Sequence, residues 1–239
     1  MYLVHLPNAF GTIIENMAVD STLLQSVPSK HALFRHYGWI QPSISFGYTQ
    51  RYEEVRQLTQ PEVHIGRRPT AGGIVDHRND WTYSLILQSE LPAANRTLAE
   101  TYTSIHRCMQ CALQAIDIES HLAPCPKQCT DQSGPLENSP HCFTKPVADD
   151  LIHPTTKAKI AGAAIKRNRN GILLQGSIDR SALPPCFSDS LFAEHFTQAI
   201  GKALNLTIQQ LPDLRPLFQQ PLLDDTRKLY ADNRWQQKR

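Results

Sequence analysis

Arg67-Arg68-Pro69-Thr70-Ala71-Gly72-Gly73-Ile74-Val75-Asp76-His77 is the stretch on which the reading of this chain turns. Two adjacent arginines precede a small-residue turn, a short apolar step and a histidine. Gly72 and Gly73 lack a Cβ, so the backbone there can approach a ligand closely and adopt positive φ. Consecutive amides in such a turn form a concave nest for oxygen anions, and Arg67 and Arg68 offer charge-assisted donors beside it. The same letters also spell an ordinary tight loop with solvated arginines, so the rest of the chain has to decide.

Two further blocks stand downstream: Lys159-Ile160-Ala161-Gly162-Ala163-Ala164 and Leu174-Gln175-Gly176-Ser177-Ile178. In this order the three blocks resemble the R-R-x-(S/T)-G-G-(G/R)-x-V-x-H, K-(I/V)-x-G-S-A and L-Q-H-G-S-I elements of the lipoate/biotin protein ligase and octanoyltransferase superfamily. Asn16 to Asp20, Tyr37 to Trp39 and Phe46 to Gln50 are similar to the amino-terminal part of its octanoyltransferase branch. Trp235 to Arg239 is similar to that branch's W-x-x-K-R ending. The resemblance implies an α+β fold with a central mixed sheet flanked by helices, as in biotin/lipoate ligase catalytic domains. It implies one catalytic domain over residues 1–239, with no C-terminal accessory domain.

Composition agrees with a soluble globular protein: 239 residues, 41% hydrophobic and 19% charged. A net charge of +2 gives no general footprint for nucleic acid. No apolar run is long enough for a membrane span, and residues 1–10 lack the basic start and apolar core of a signal peptide. The expected compartment is the cytoplasm, where the six cysteines are not expected to form disulfides. Cys108, Cys111, Cys125 and Cys129 spell C-x2-C-x13-C-x3-C, the pattern of a zinc site. The competing reading puts Cys108 and Cys111 on an amphipathic helix as small packing residues, and no metal is expected.

Periodicity predicts a strand at Tyr2–Val4, a helix over 13–27, strands over 32–37 and 43–48, and a short helix over 52–58 ended by Pro61. A strand follows over 81–87, rich in β-branched and aromatic residues. A long helix is predicted over 95–116, carrying Leu98, Tyr102, Ile105, Met109, Ala112 and Ile116 on one stripe. Residues 121–141 turn polar and Pro/Ser/Gly-rich, a long loop. Asn170-Gly171 then marks a hairpin between strands 159–167 and 171–178, and helices over 188–204 and 222–236 close the chain.

Cys142-Phe143-Thr144-Lys145-Pro146 follows the loop and resembles the C-F-(D/E)-x-P element of octanoyltransferases whose internal-loop cysteine carries the acyl group. The resemblance casts Cys142 as nucleophile and Lys159 as its partner. Chemistry asks for that pairing, because thiolate is the nucleophile and a nearby ammonium favours it. The implied reaction moves an octanoyl or lipoyl group from a carrier-protein thioester, such as octanoyl-acyl carrier protein, onto a lysine. That lysine belongs to a lipoyl domain or a glycine-cleavage H-type protein, and no cofactor is needed. Arg67, Arg68, Thr70, Gly72, Gly73 and His77 are implied to bind substrate, with Gly162, Gln175 and Gly176 opposite them. His77 reads equally as a satisfied structural histidine, and the basic turn Lys166-Arg167-Asn168-Arg169 either meets acidic carriers or is plain solvated surface.

The chain departs from the pattern at Ala71, Asp76, Ala163 and Gln175, the last replacing a histidine and leaving the local polar network in question. Cys186, after Pro184-Pro185, is a weaker alternative nucleophile. Asp149-Asp150-Leu151 resembles the N-D-L of ATP-dependent lipoate ligases, which keeps open a ligase using ATP and Mg2+. A catalytically degenerate carrier-binding protein is the remaining alternative.

Overall fold

The structure, a computed structural model, describes residues 1–125, 146–211 and 213–238. The first half runs β1 (Tyr2–His5), β2 (Ala9–Gly11), α1 (Ile13–Ser26), β3 (His31–Trp39), β4 (Ser43–Phe46) and α2 (Tyr52–Gln57). It continues through β5 (His64–Arg67), β6 (Val75–Asp76), β7 (Asp80–Gln88) and α3 (Leu98–Gln114). After β8 (His121–Leu122) and β9 (Leu151–Ile152) comes the hairpin β10 (Lys159–Asn168) and β11 (Gly171–Asp179). The chain closes with α4 (Asp189–Leu204), β12 (Thr207–Gln209), α5 (Gln220–Ala231) and α6 (Asn233–Gln236).

The large mixed sheet orders its strands β12-β1-β3-β7-β11-β10-β9-β8, with β2 also paired to β3. Strand alternation sorts its side chains between two helical layers. Phe34, Tyr83, Leu85 and Leu174 face α3 and α4, meeting Ile105, Met109, Phe192 and Phe196. Their neighbours Leu33, Ile86 and Leu173 face the other way, onto Leu23 and Leu24 of α1. That second face also carries Arg35, Tyr37, Thr82, Ser84, Gln175 and Ser177, as the register dictates. A small sheet, β5-β4-β6, packs beside α1, where Ile13 touches the Cβ-less face of Gly66.

The predicted elements are present with shifted ends. The long helix starts at Leu98 rather than 95, because Thr97 and Glu100 form a capping box and Pro92–Asn95 is a separate 3-10 turn. The last predicted helix is two, broken at Asp232, whose carboxylate caps the amide of Arg234. Six strands of two to four residues, β2, β5, β6, β8, β9 and β12, carry too little pattern to be read from sequence. No helix among the described residues is long and apolar enough to cross a membrane.

Candidate active site

A cavity of about 60 Å3 lies between the second face of the large sheet and the 68–77 turn. The sheet contributes Tyr37, Thr82, Gln175, Ser177, Gly162 and Ala164. Above them lie Ser45, Arg68, Gly72, Val75 and His77, with Met17 from α1 and Lys159 also in the wall. Residues from all three sequence blocks therefore meet in one place.

The two arginines part company. Arg67 is fully buried, and its guanidinium donates to the carbonyls of Tyr48, Gln50, Trp235, Gln236 and Lys238. All five of its N–H groups point at backbone, so the expectation that it offers donors to a ligand gives way to a latch on the C-terminal helix. Trp235 Nε1 completes the latch by donating to Arg67 O at 3.1 Å. Arg68 is the one that lines the cavity. It donates to Ala71 O at 2.7 Å, Gly73 O at 2.8 Å and Ser45 Oγ at 3.2 Å, closing the turn from inside.

Gly72 has φ 94°, the left-handed region that favours glycine. Its carbonyl sits where a Cβ on Gly47 would be, 1.9 Å away, so these two turns pack backbone to backbone. Thr70 reaches across the cavity to donate to Gln175 Oε1 at 2.8 Å. Gln175 Nε2 in turn donates to Asp20 Oδ2 at 2.7 Å. Asp20 has no exposure and also takes Arg35 Nη1 at 2.9 Å and Ser84 Oγ at 2.7 Å. The glutamine in place of histidine thus leaves no gap: its amide offers an acceptor to Thr70 and a donor to Asp20.

His77 uses both ring nitrogens, Nδ1 with Asp80 Oδ2 at 2.7 Å and Nε2 with Ser45 Oγ at 2.8 Å. Trp39 stacks on it with 4.1 Å between centroids. Asp80 Oδ2 also accepts from Thr82 and Ser177. His77 is thus hydrogen-bonded on each side, and its ring forms part of the cavity wall.

Lys159 is paired with a residue that the periodic pattern does not reveal. Its Nζ lies 2.9 Å from Asp150 Oδ2, with side-chain exposures of 7% and 0%. Asp150 is further held by the amide of Val147 at 2.7 Å and by the hydroxyl of Tyr102 on α3. The same Tyr102 oxygen accepts from the amide of Ala163 at 3.2 Å. Burial pushes the Tyr102 phenol well above its ordinary value, so it remains a donor. Gly162 makes room for the pair: a Cβ there would lie 2.4 Å from Lys159 Nζ and 2.7 Å from Asp150 Oδ1. Gly176, by contrast, has its Cβ position 2.3 Å from the Tyr83 ring, so its need for a glycine also comes from the core side of the sheet.

Cys142 to Lys145 lie outside the described residues, as does Cys129, while Pro146, the last residue of the motif, is exposed. Cys108 faces the core, donates to Ala199 O and has its thiol pushed up to about 12 by burial. Cys111, Cys125 and Cys186 are exposed. Among the described residues no three His, Cys, Asp or Glu side chains gather as a metal site.

Comparison with known proteins fits this architecture. Octanoyltransferase LipM of Carboxydothermus hydrogenoformans is 31% identical over 169 residues, 69% of this chain and 60% of the relative. Octanoyltransferase LipM of Geobacillus kaustophilus is 34% identical over 171 residues, with 68% and 60% covered. The chain thus spans about 60% of the length of the curated relatives it matches. Among solved structures, lipoate-protein ligase A bound with ATP superposes with a TM-score of 0.73 at 16% identity, covering 99% of this chain and 98% of that one. A bipartite lipoate protein ligase of Thermoplasma acidophilum gives 0.71 at 15% identity, covering 99% and 96%. The fold of these ligases is the fold found here. The family model for the lipoyl protein ligase A/B catalytic domain matches residues 12–202. Those residues run from the cap of α1 to the last turn of α4 and contain every cavity-lining residue, so the chain belongs to the lipoyl protein ligase A/B catalytic domain family.

Proposed function

We infer that this protein is an octanoyltransferase acting through a cysteine acyl-enzyme. Cys142 attacks the thioester of an octanoyl group on a carrier protein, forming a Cys142 thioester and releasing the carrier thiol. A lysine amine on a lipoyl domain then attacks that thioester, forming the amide and returning the Cys142 thiol. The observation that supports this reading is the buried Lys159–Asp150 pair at the cavity wall. A lysine ammonium at the cavity wall is what a neighbouring thiolate requires. Val147, five residues after Cys142 in the sequence, is tied to that same carboxylate. The Gly72–Gly73 turn supplies backbone near the reacting carbonyl, in line with oxyanion stabilisation. His77, Thr70 and Gln175 shape the acyl cavity. The relatives named octanoyltransferase LipM support the same assignment.

An ATP-dependent ligase is the second reading, favoured by the likeness of Asp149-Asp150-Leu151 to the ligase N-D-L element. Incubation with octanoyl-acyl carrier protein in the absence of ATP separates the two. The transferase gains one octanoyl mass on Cys142 and loses it on addition of a lipoyl domain. A protein that stays unmodified, and transfers only with octanoate, ATP and Mg2+, is a ligase.

A further inference from the structure

The rim of the cavity carries a cluster of cations that the acyl-transfer residues do not use. On β10, Gly162 and Ala164 line the cavity, and Lys166 is next on the same face, opposite Leu173 of β11. Two residues of strand place it roughly 7 Å beyond Ala164. Across from it stands Tyr48, on the turn that follows β4. The Tyr48 amide donates to Thr70 O at 2.9 Å, and the preceding Gly47 abuts Gly72. Lys166 Nζ lies 5.7 Å from the centre of the Tyr48 ring, and Lys238 Nζ lies 5.2 Å from it.

Two ammonium groups converging on one ring repel each other unless an anion lies between or near them. No ion pair among the described residues supplies one for Lys166, Arg169 or Lys238, whereas Arg78, Arg215, Arg227 and Arg234 are each matched with a neighbouring aspartate. A hydrogen bond with Lys238, followed by the charges of Lys238, Lys166 and Arg67, holds the Tyr48 phenol below its ordinary value. Arg167 lies on the opposite face of the sheet, across from Ile172 and donating to the carbonyl of Arg96, while Arg169 stands at the exposed tip of the hairpin.

The geometry points to Lys166, Lys238 and Tyr48, continued by Arg169 at the hairpin tip, as the docking surface for an acidic carrier domain that presents the acyl thioester. This rests on the acyl-enzyme reading and names the partner that loads it. The donor fits the rim better than the acceptor on charge alone. An acceptor lysine brings an ammonium of its own, which two rim lysines repel. The groove on the Lys159 side suits that group better, with Asp117, Glu119 and Asp179 set against Lys157 and His153. A negatively charged donor is instead drawn to the rim and gains chiefly in association rate.

The test compares octanoyl-acyl carrier protein with the uncharged donor octanoyl-N-acetylcysteamine, following the octanoyl mass on the full-length enzyme. The Lys166→Glu/Lys238→Glu double variant is expected to lose about tenfold or more in kcat/KM for the carrier, while its rate with the small thioester stays within about twofold. Added salt should slow loading from the carrier in the wild type and hardly alter it in the variant. Because Lys238 lies beside the Arg67 latch, Arg169→Glu at the hairpin tip provides a second variant, with a smaller loss in the same direction. Loading from the carrier that is unchanged in both variants, or equal losses with both donors, overturns the docking surface and leaves the acyl-enzyme standing. A wild type loaded by neither donor overturns the acyl-enzyme reading and the docking surface with it.

Discussion

Lys159 Nζ stands 2.9 Å from Asp150 Oδ2, and the carboxylate has no exposure to solvent. Removing one member of such a pair leaves the other charged and buried, which costs about 3–5 kcal/mol. Asp150→Asn is therefore expected to lower unfolding free energy by that order and to abolish acyl transfer. Gly162→Ala should separate the two effects. Its new Cβ would fall on the Lys159 ammonium, a flexible end that can move aside, so stability drops less while transfer still collapses. Chemical denaturation beside a transfer assay checks both; a Gly162→Ala enzyme with normal activity would show that the pair's geometry is irrelevant to catalysis.

Arg67 makes the second prediction. Its guanidinium ties the carbonyls of the 48–50 turn to those of α6 and the residues after it. Arg67→Ala strands several buried acceptors, each worth about 1–3 kcal/mol, so a loss of roughly 3 kcal/mol or more is expected. Lysine has three donors on a point charge where arginine has five in a planar fork, so Arg67→Lys should recover only part. Limited trypsin digestion reads the mechanism directly: cleavage at Arg234 should accelerate in Arg67→Ala before the rest of the chain opens.

These two residues also show what the sequence could and could not disclose. The glycines, Lys159 and the strand pair around Asn170-Gly171 were legible because each is tied to local backbone chemistry or to a contiguous block. The roles of Arg67 and Arg68 were not: adjacent residues on a strand point to opposite faces, and only the position of α6, 168 residues on, shows which face is occupied. Asp150 was visible as part of an N-D-L-like triplet, yet its partnership with Lys159 depends on the β9–β10 bulge between Lys159 and Ala161. The question raised by Gln175 was settled by Asp20 and Thr70, which lie 155 and 105 residues away.

His106 predicts a dependence on acid. It is fully buried on α3, its ring 4.1 Å from that of Tyr102, with Nδ1 on the carbonyl of Tyr102. Among the described residues its Nε2 has no partner. Burial lowers its pKa from 6.5 to about 4. The unfolded chain then takes up a proton near 6.5 that the folded chain refuses until about 4, so stability falls as pH drops through that window. The full difference corresponds to about 3 kcal/mol. Melting temperatures at pH 7 and pH 5 should diverge in the wild type, and the gap should narrow in His106→Phe, the remainder falling to groups such as His36, whose pKa burial also lowers to about 4. An equal acid loss in both proteins would place the effect on other groups.

The last prediction joins Lys159 to Cys142. If the lysine ammonium stabilises the thiolate, Lys159→Ala raises the thiol's pKa. Alkylation of Cys142 by iodoacetamide should then be slow at neutral pH and recover as pH rises. Lys159→Arg keeps a positive charge but cannot reproduce a compact ammonium beside Asp150, so only part of the rate should return. Cys186→Ala serves as the reference that leaves the profile unchanged, because Cys186 is exposed and is not among the cavity residues. In a ligase the lysine would hold a carboxylate or phosphate oxygen, and alkylation of Cys142 would not depend on it. Mass-resolved alkylation of each variant across pH 6–10 reads the difference as a displaced midpoint. A rise of about one unit, equal to about 1.4 kcal/mol of differential interaction, is the expected result for Lys159→Ala. Coincident profiles for wild type and Lys159→Ala would dissolve the catalytic pair, whatever else the cavity binds.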